Sequence, residues 1–340
     1  MKALVYHGPE ILKWEEIPDV SPGEGEVLIK VKAVGICGSD VHGYLGITGR
    51  RTPPMVMGHE FSGIVAAVGA GVTSVKSGDR VAPYPVVFCG ECEFCRQGKV
   101  NICLNKTAFG VLDCNGAMAE YISVPAKLVF KLSDDVSYSV GSMIEPMAVA
   151  YRGVNNAGDL SGKNVLIVGA GTIGLLALAI VKMRNPARIF VSDLSDNRLA
   201  VAANMGADFT INPGASDFEA TIKSETGGSG VDVAFEAVGA TPTVQQAMSA
   251  LKIGGTAVWI GNSAKMIQVN MQEIVTRELK VVGTFLYTFR EFGEVVELLN
   301  SGKINVEPMI SLETPMENGP ALFARLAKDP GPLIKVILTE

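Results

Sequence analysis

Asn164-Val165-Leu166-Ile167-Val168-Gly169-Ala170-Gly171-Thr172-Ile173-Gly174 is a short apolar run that enters a glycine-rich turn, and an apolar stretch follows it to residue 183. The hexamer 169–174 fits G-x-G-x-x-G. Alone it is a weak signal, because a chain with 38 glycines matches it easily by chance. Its setting makes it specific: a buried strand before it and a helix after it are what a dinucleotide cradle requires. Gly169 allows the tight turn, and Gly171 lets the backbone approach a pyrophosphate. Gly174 lets the helix opened by Thr172 and Ile173 pack closely, its positive end toward the phosphates. Asp193 then falls at the end of the next expected strand. A carboxylate there accepts hydrogen bonds from the adenosine ribose and repels a 2′-phosphate, which predicts NAD rather than NADP. Arg198 is close enough in sequence to cover the adenine or to pair with Asp193. A helix cap in Ser192-Asp193-Leu194-Ser195 is the competing reading of Asp193.

Outward from this stretch, strands and helices alternate. Strands are expected at 164–168, 189–192, 232–236 and 257–260, with helices at 172–183, 198–205 and 243–251. That order predicts a doubly wound parallel sheet. Before it, residues 3–6, 26–34, 63–68 and 80–82 are short apolar or alternating runs. Turn groups such as Ser21-Pro22-Gly23 and Ser77-Gly78-Asp79 separate them. The last 50 or so residues mix both periods at 292–300, 304–312 and 336–338, and are expected to return to the first domain. At 340 residues two domains are the prior. We place them at 1–153, completed by 292–340, and at 154–291. The apolar stretch 255–261 is a candidate edge strand for pairing between subunits.

A net charge of −6 makes nucleic acid a poor default partner. No secretory signal opens the chain, and the long uncharged run 165–181 is too short and glycine-rich for a membrane helix. A cytoplasmic protein with reduced thiols is expected, with neither nucleic acid nor membrane as partner.

Cys89, Cys92, Cys95 and Cys103 form C-x2-C-x2-C-x7-C. Four thiolates this close can wrap one tetrahedral cation, Zn²⁺ being the usual occupant. Rubredoxin-type iron and a set of disulfides are the alternatives. Such a closed site is structural, since it leaves no position for substrate. Cys37, His59, Glu60 and Glu145 are scattered, and spacing alone does not join them. A carboxylate at Glu145 in the apolar run 142–150 nevertheless needs a cation or a donor.

Six stretches together resemble the zinc-dependent medium-chain alcohol dehydrogenase family in its polyol dehydrogenase branch. They are Gly-Ile-Cys-Gly-Ser-Asp-Val-His (35–42), Gly-His-Glu-Phe-Ser-Gly-Ile-Val (58–65), Ser-Gly-Asp-Arg-Val (77–81), the cysteine set, Ile-Glu-Pro (144–146) and Val-Gly-Ala-Gly-Thr-Ile-Gly-Leu (168–175). The resemblance covers essentially the whole chain. It implies an α/β architecture: a GroES-like β-barrel catalytic domain plus a Rossmann domain. It implies two Zn²⁺ per chain, one catalytic and one structural, with NAD as cofactor. Cys37, His59, Glu60 and Glu145 match the catalytic zinc ligands, Glu60 binding directly or through water. Asp40 matches the carboxylate behind the ligating histidine, and Ser39 and His42 match a proton relay. Cys89, Cys92, Cys95 and Cys103 match the structural zinc lobe, while Cys114 has no role. The implied reaction is reversible oxidation of a secondary alcohol to a ketone, with hydride passing to the nicotinamide. A homodimer or homotetramer is also implied.

Substrate is less specified. Sorbitol-type enzymes carry an Arg-Tyr pair where this chain has Leu286 and Tyr287, and Arg152 stands where the family often has His. Adjacent Arg50 and Arg51 are a candidate phosphate clamp, with a solvated or subunit-facing loop as the bland reading. The first favours a sugar-alcohol phosphate. The second favours a free polyol or 2,3-butanediol, with threonine as a further family substrate. A zinc-free NADPH reductase and a non-catalytic protein on the same fold compete with the polyol dehydrogenase. The ligand set with Asp193 opposes the first; the relay residues oppose the second.

Overall fold

The computed structural model describes residues 1–112 and 114–340. Two compact units divide the chain. One comprises Met1–Glu145, Thr288–Lys303 and Ile310–Glu340; the other comprises Pro146–Tyr287 and Ile304–Met309.

The second unit is built on a six-stranded sheet in the order Phe209–Ile211, Arg188–Ser192, Asn164–Val168, Val231–Glu236, Leu251–Trp259, Lys280–Gly283. All five neighbouring pairs are parallel. A strand buried on both faces has no polar side to show, which explains why Val165, Leu166, Ile167 and Val168 form one apolar run and are all enclosed. The helix Thr172–Lys182 is buried from Gly174 to Val181, so its sequence lacks a polar stripe as well. The order in which strands are added reverses at Asn164–Val168: the next two lie on one side of it and the last three on the other, the position where such sheets open a crevice for ligand. Residues 255–261 do not lie at an edge. Leu251–Trp259 pairs with Val231–Glu236 on one side and Lys280–Gly283 on the other, so the free edge belongs to Lys280–Gly283.

The first unit holds a seven-stranded, mostly antiparallel sheet. Its order is Val129–Lys131, Arg80–Pro83, Glu60–Val68, Glu26–Gly35, Lys335–Thr339, Ile310–Pro315, with Tyr121–Pro125 also on Glu26–Gly35. Sequence alternation along Glu26–Gly35 puts Val27, Ile29, Val31 and Ala33 on the enclosed face. The C-terminal strand Lys335–Thr339 pairs antiparallel with Glu26–Gly35, bringing Ile337 opposite Gly35. Gly35 also faces Glu60 across the next strand pair. Three segments distant in sequence therefore end at one corner of the sheet.

Candidate active site

That corner gathers Cys37, His59 and Glu60, whose ligand atoms all lie within 4.8 Å of one another. Cys37 caps the helix Gly38–Tyr44. Its sulfur accepts from the Ser39 amide at 3.4 Å, while Asp40 Oδ2 accepts from the Cys37 amide at 3.1 Å. Glu60 opens the strand next door, and His59 immediately precedes it. Asp40 is fully buried, takes Arg51 Nη2 on Oδ1 at 2.8 Å, and faces His59 Nδ1 with the same oxygen at 3.5 Å. Burial works to raise the Asp40 carboxyl, but the charges and hydrogen bonds of His59 and Arg51 outweigh it. The group is held well below the usual carboxylate range. Burial likewise opposes a charged His59. Asp40 and the Cys37 sulfur outweigh it and raise the imidazole well above its ordinary value. A sulfur, an imidazole and a carboxylate converging at this distance suit Zn²⁺.

Glu60 has a second partner that the sequence reading missed. Its Oε2 accepts from Lys335 Nζ, which also donates to the Ile36 carbonyl at 3.2 Å. Both residues are 1% exposed. A β-carbon on Gly35 would press on this pair, at 2.7 Å from Lys335 Cε and 2.8 Å from its Nζ, so a larger residue there would displace the lysine end. The available signal was one lysine inside the apolar strand Lys335–Thr339, since a lone buried charge demands a partner. Lys335→Met leaves the Glu60 carboxylate without its ammonium. It should cost roughly 3–5 kcal/mol in urea unfolding of the metal-free protein. A wild-type midpoint would mean that Glu60 is neutralised by another group.

The remaining expected residues are placed as follows. Glu145 is buried in the first turn of the helix Ile144–Asn156, outside the 4.8 Å cluster. Ser39 is exposed and His42 half-buried, both on Gly38–Tyr44. Arg50 is exposed. Arg51 departs from the expected anion clamp: its side chain is 2% exposed and is engaged by Asp40. Arg152 is half-buried on Ile144–Asn156 and Tyr287 is fully enclosed.

Cys89, Cys92, Cys95 and Cys103 also lie with their sulfurs within 4.8 Å of one another, all unbridged. Cys89 is 3.9 Å from Cys95 and 3.5 Å from Cys103, sulfur to sulfur. Thiolates at ~2.3 Å from a tetrahedral Zn²⁺ stand about 3.8 Å apart, so the set fits that ion. Amide hydrogens of Leu104 and Cys95 pull the Cys92 thiol down to about 6. Burial and the neighbouring thiols push Cys95 up to about 12. Crowded sulfurs resist ionising together until a cation balances them. Cys114 belongs to neither cluster.

In the second unit, Gly169 adopts φ +98° and a β-carbon on Gly174 would strike the Gly169 carbonyl. A β-carbon on Gly171 would meet nothing within 4 Å, so the backbone there faces open space. Thr172 and Ile173 open the helix with Gly171 as its cap. Asp193 Oδ2 accepts from the Ala170 amide at 2.7 Å and Oδ1 from the Ser195 amide at 2.9 Å. The helix Asp196–Asn204 is capped by Ser195, whose hydroxyl accepts from the Arg198 amide. Asp193 thus ties the glycine turn to the next strand, and each of its oxygens keeps a lone pair for a ribose hydroxyl. The backbone at Gly169, Gly171 and Gly174, with the Asp193 carboxylate beside it, suits a dinucleotide.

Residues 23–134 match the alcohol dehydrogenase GroES-like domain family, and residues 172–301 match the zinc-binding dehydrogenase family. A sorbitol dehydrogenase of Bacillus subtilis is 34% identical over 99% of this chain and 97% of its own length. An L-threonine 3-dehydrogenase of Pyrococcus abyssi is 37% identical over 92% of this chain and 89% of its own. The crystal structure of galactitol-1-phosphate dehydrogenase from Escherichia coli superposes with a TM-score of 0.92 at 29% identity, covering 100% of both chains.

Proposed function

This chain belongs to the zinc-dependent medium-chain alcohol dehydrogenase family, in its polyol branch, and from that premise we propose the following reaction. The protein oxidises a secondary alcohol of a polyol, or of a sugar-alcohol phosphate, to the ketone, and hydride passes to NAD. The observation that carries the reading is the convergence of Cys37, His59 and Glu60 within 4.8 Å. Zn²⁺ held by these residues, with Glu145 as a further ligand, supplies Lewis-acid polarisation of the alcohol oxygen. Asp40 fixes the His59 ring from behind. Ser39 and His42, one helical turn apart on Gly38–Tyr44, pass the substrate proton toward solvent. The turn 169–174, with Asp193 and Arg198, holds NAD. Cys89, Cys92, Cys95 and Cys103 hold a second, structural Zn²⁺.

Arg51 being spent on Asp40 favours an unphosphorylated polyol over its phosphate. NADH formation should be followed with sorbitol, xylitol, galactitol, galactitol 1-phosphate, 2,3-butanediol and threonine, each with NAD and NADP. Turnover of free polyols with NAD is expected. Absence of turnover with every alcohol, in protein holding two zinc ions, would overturn the substrate class.

Asp193→Asn removes a charge from both ribose bonds. At about 1.5–3 kcal/mol for hydrogen bonds to a charged group, Kd for NAD should rise roughly 10- to 100-fold. NADP binding should tighten, because the charge that repels its 2′-phosphate is gone. An equal loss for both cofactors would mean that Asp193 acts only on the glycine turn.

A homodimer or homotetramer in the cytoplasm completes the proposal. The unpaired edge Lys280–Gly283 supports it, as do exposed Met271, Val275 and Val281 in the same part of the second unit. No described helix is long and apolar enough to cross a membrane.

A further inference from the structure

We propose that Arg51 is a positioning residue of the metal centre, acting through Asp40 on His59; this rests on Cys37, His59 and Glu60 being metal ligands. Asp40 is gripped from two sides. Its Oδ2 holds the Cys37 amide at 3.1 Å and its Oδ1 holds Arg51 Nη2 at 2.8 Å. What remains of Oδ1 faces His59 Nδ1 at 3.5 Å. The carboxylate therefore cannot turn away from the imidazole without breaking a buried bond. Arg51 is fixed in its turn by the helix Gly38–Tyr44. A β-carbon on Gly43 would lie 2.8 Å from Arg51 Cγ, 3.2 Å from Nε and 3.4 Å from Cζ, so the arginine stem occupies that space.

Two consequences follow for a metal. The first is geometric. Groups behind a ligating histidine set its ring orientation, and their loss typically lowers metal affinity about 10- to 100-fold. The second is electronic. A carboxylate facing only a histidine pushes electron density through the ring to the metal. Arg51 draws on the same oxygen and limits that push. In a set that already contains a thiolate and a carboxylate, the limit keeps a bound cation electrophilic.

The test uses the full-length protein with Co²⁺ replacing the metal at the Cys37–His59 centre. Co²⁺ reports its ligands through visible and thiolate charge-transfer absorption. Arg51→Gln should release Co²⁺ to a competing chelator about 10- to 100-fold more readily, with shifted visible bands. Arg51→Lys, which restores charge but not the planar fork, should recover part of the affinity. Gly43→Ala keeps the guanidinium but displaces its stem, and should weaken binding in the same direction. It decides the matter if Arg51→Gln fails to fold. Retention of the metal on Cys89, Cys92, Cys95 and Cys103 serves as the folding control. Wild-type Co²⁺ affinity and spectrum in Arg51→Gln would overturn the proposal. So would a rise in KM for a phosphorylated polyol alone, which would return Arg51 to substrate binding. A wild-type protein with no cobalt–thiolate band outside the four-cysteine lobe would overturn the metal-centre reading itself.

Discussion

Stripping the metal from the Cys37–His59–Glu60 centre, or replacing His59 by alanine, should lower kcat/KM by about 1,000-fold or more while the fold persists. Lewis-acid stabilisation is worth several kcal/mol, and each 1.36 kcal/mol is tenfold in rate. Persistence of the fold follows from where the centre sits. Its ligands lie at the ends of strands, whereas the core between them is apolar: Val27, Ile29, Val31, Phe61 and Val65 are all enclosed. The carboxylates near the centre have their own buried cations, Asp40 with Arg51 and Glu60 with Lys335, so they are not stranded when the ion leaves. A chelator titration followed by both activity and far-ultraviolet circular dichroism checks this. Activity should vanish first and return on adding Zn²⁺. Simultaneous loss of activity and secondary structure would show that the centre is structural.

These paired charges also mark the limit of what the sequence discloses. The proposed ligands stand out in the sequence through the family resemblance of their short motifs, not through their spacing: Cys37 and Asp40 share one helix cap, and His59 adjoins Glu60. Their balancing cations come from other segments, and no spacing rule joins Arg51 to Asp40 or Lys335 to Glu60. In sequence Arg51 looks like a surface or substrate group, because charged pairs on loops usually are; burial beside a carboxylate reverses that. The same contrast runs through the fold. Asn164–Val168 and the helix after it were legible because full burial leaves one long apolar run. Phe209–Ile211 and Lys280–Gly283, at the two edges of the same sheet, were not. Three or four residues with half their surface in water carry too little periodicity. Without the second of them, residues 255–261 look like an edge.

Replacing Cys103 with alanine should unfold the cysteine lobe alone. The helix Glu93–Arg96 buries none of its residues, and the turn Val100–Ile102 buries only Val100 and Asn101. So little apolar area cannot offset the ordering of the loop. The lobe must be held by its ion, which contributes about 10–16 kcal/mol in comparable small zinc sites. Cys103 is itself fully enclosed, so an alanine there removes a ligand and leaves a void. Losing even 3 kcal/mol of local stability raises the open population, and hence proteolysis under fast reclosing, on the order of 100-fold. The expected result is one zinc per chain instead of two, with new cleavage confined to residues 90–104. The parallel sheet has its own core in Leu166, Phe190, Ala234, Val244 and Ala257, so fragments containing it should stay intact. Wild-type protease resistance with one zinc lost would mean that packing, not the ion, orders the lobe. Cleavage spread along the whole chain would mean that the lobe supports far more of the protein than its small buried surface indicates.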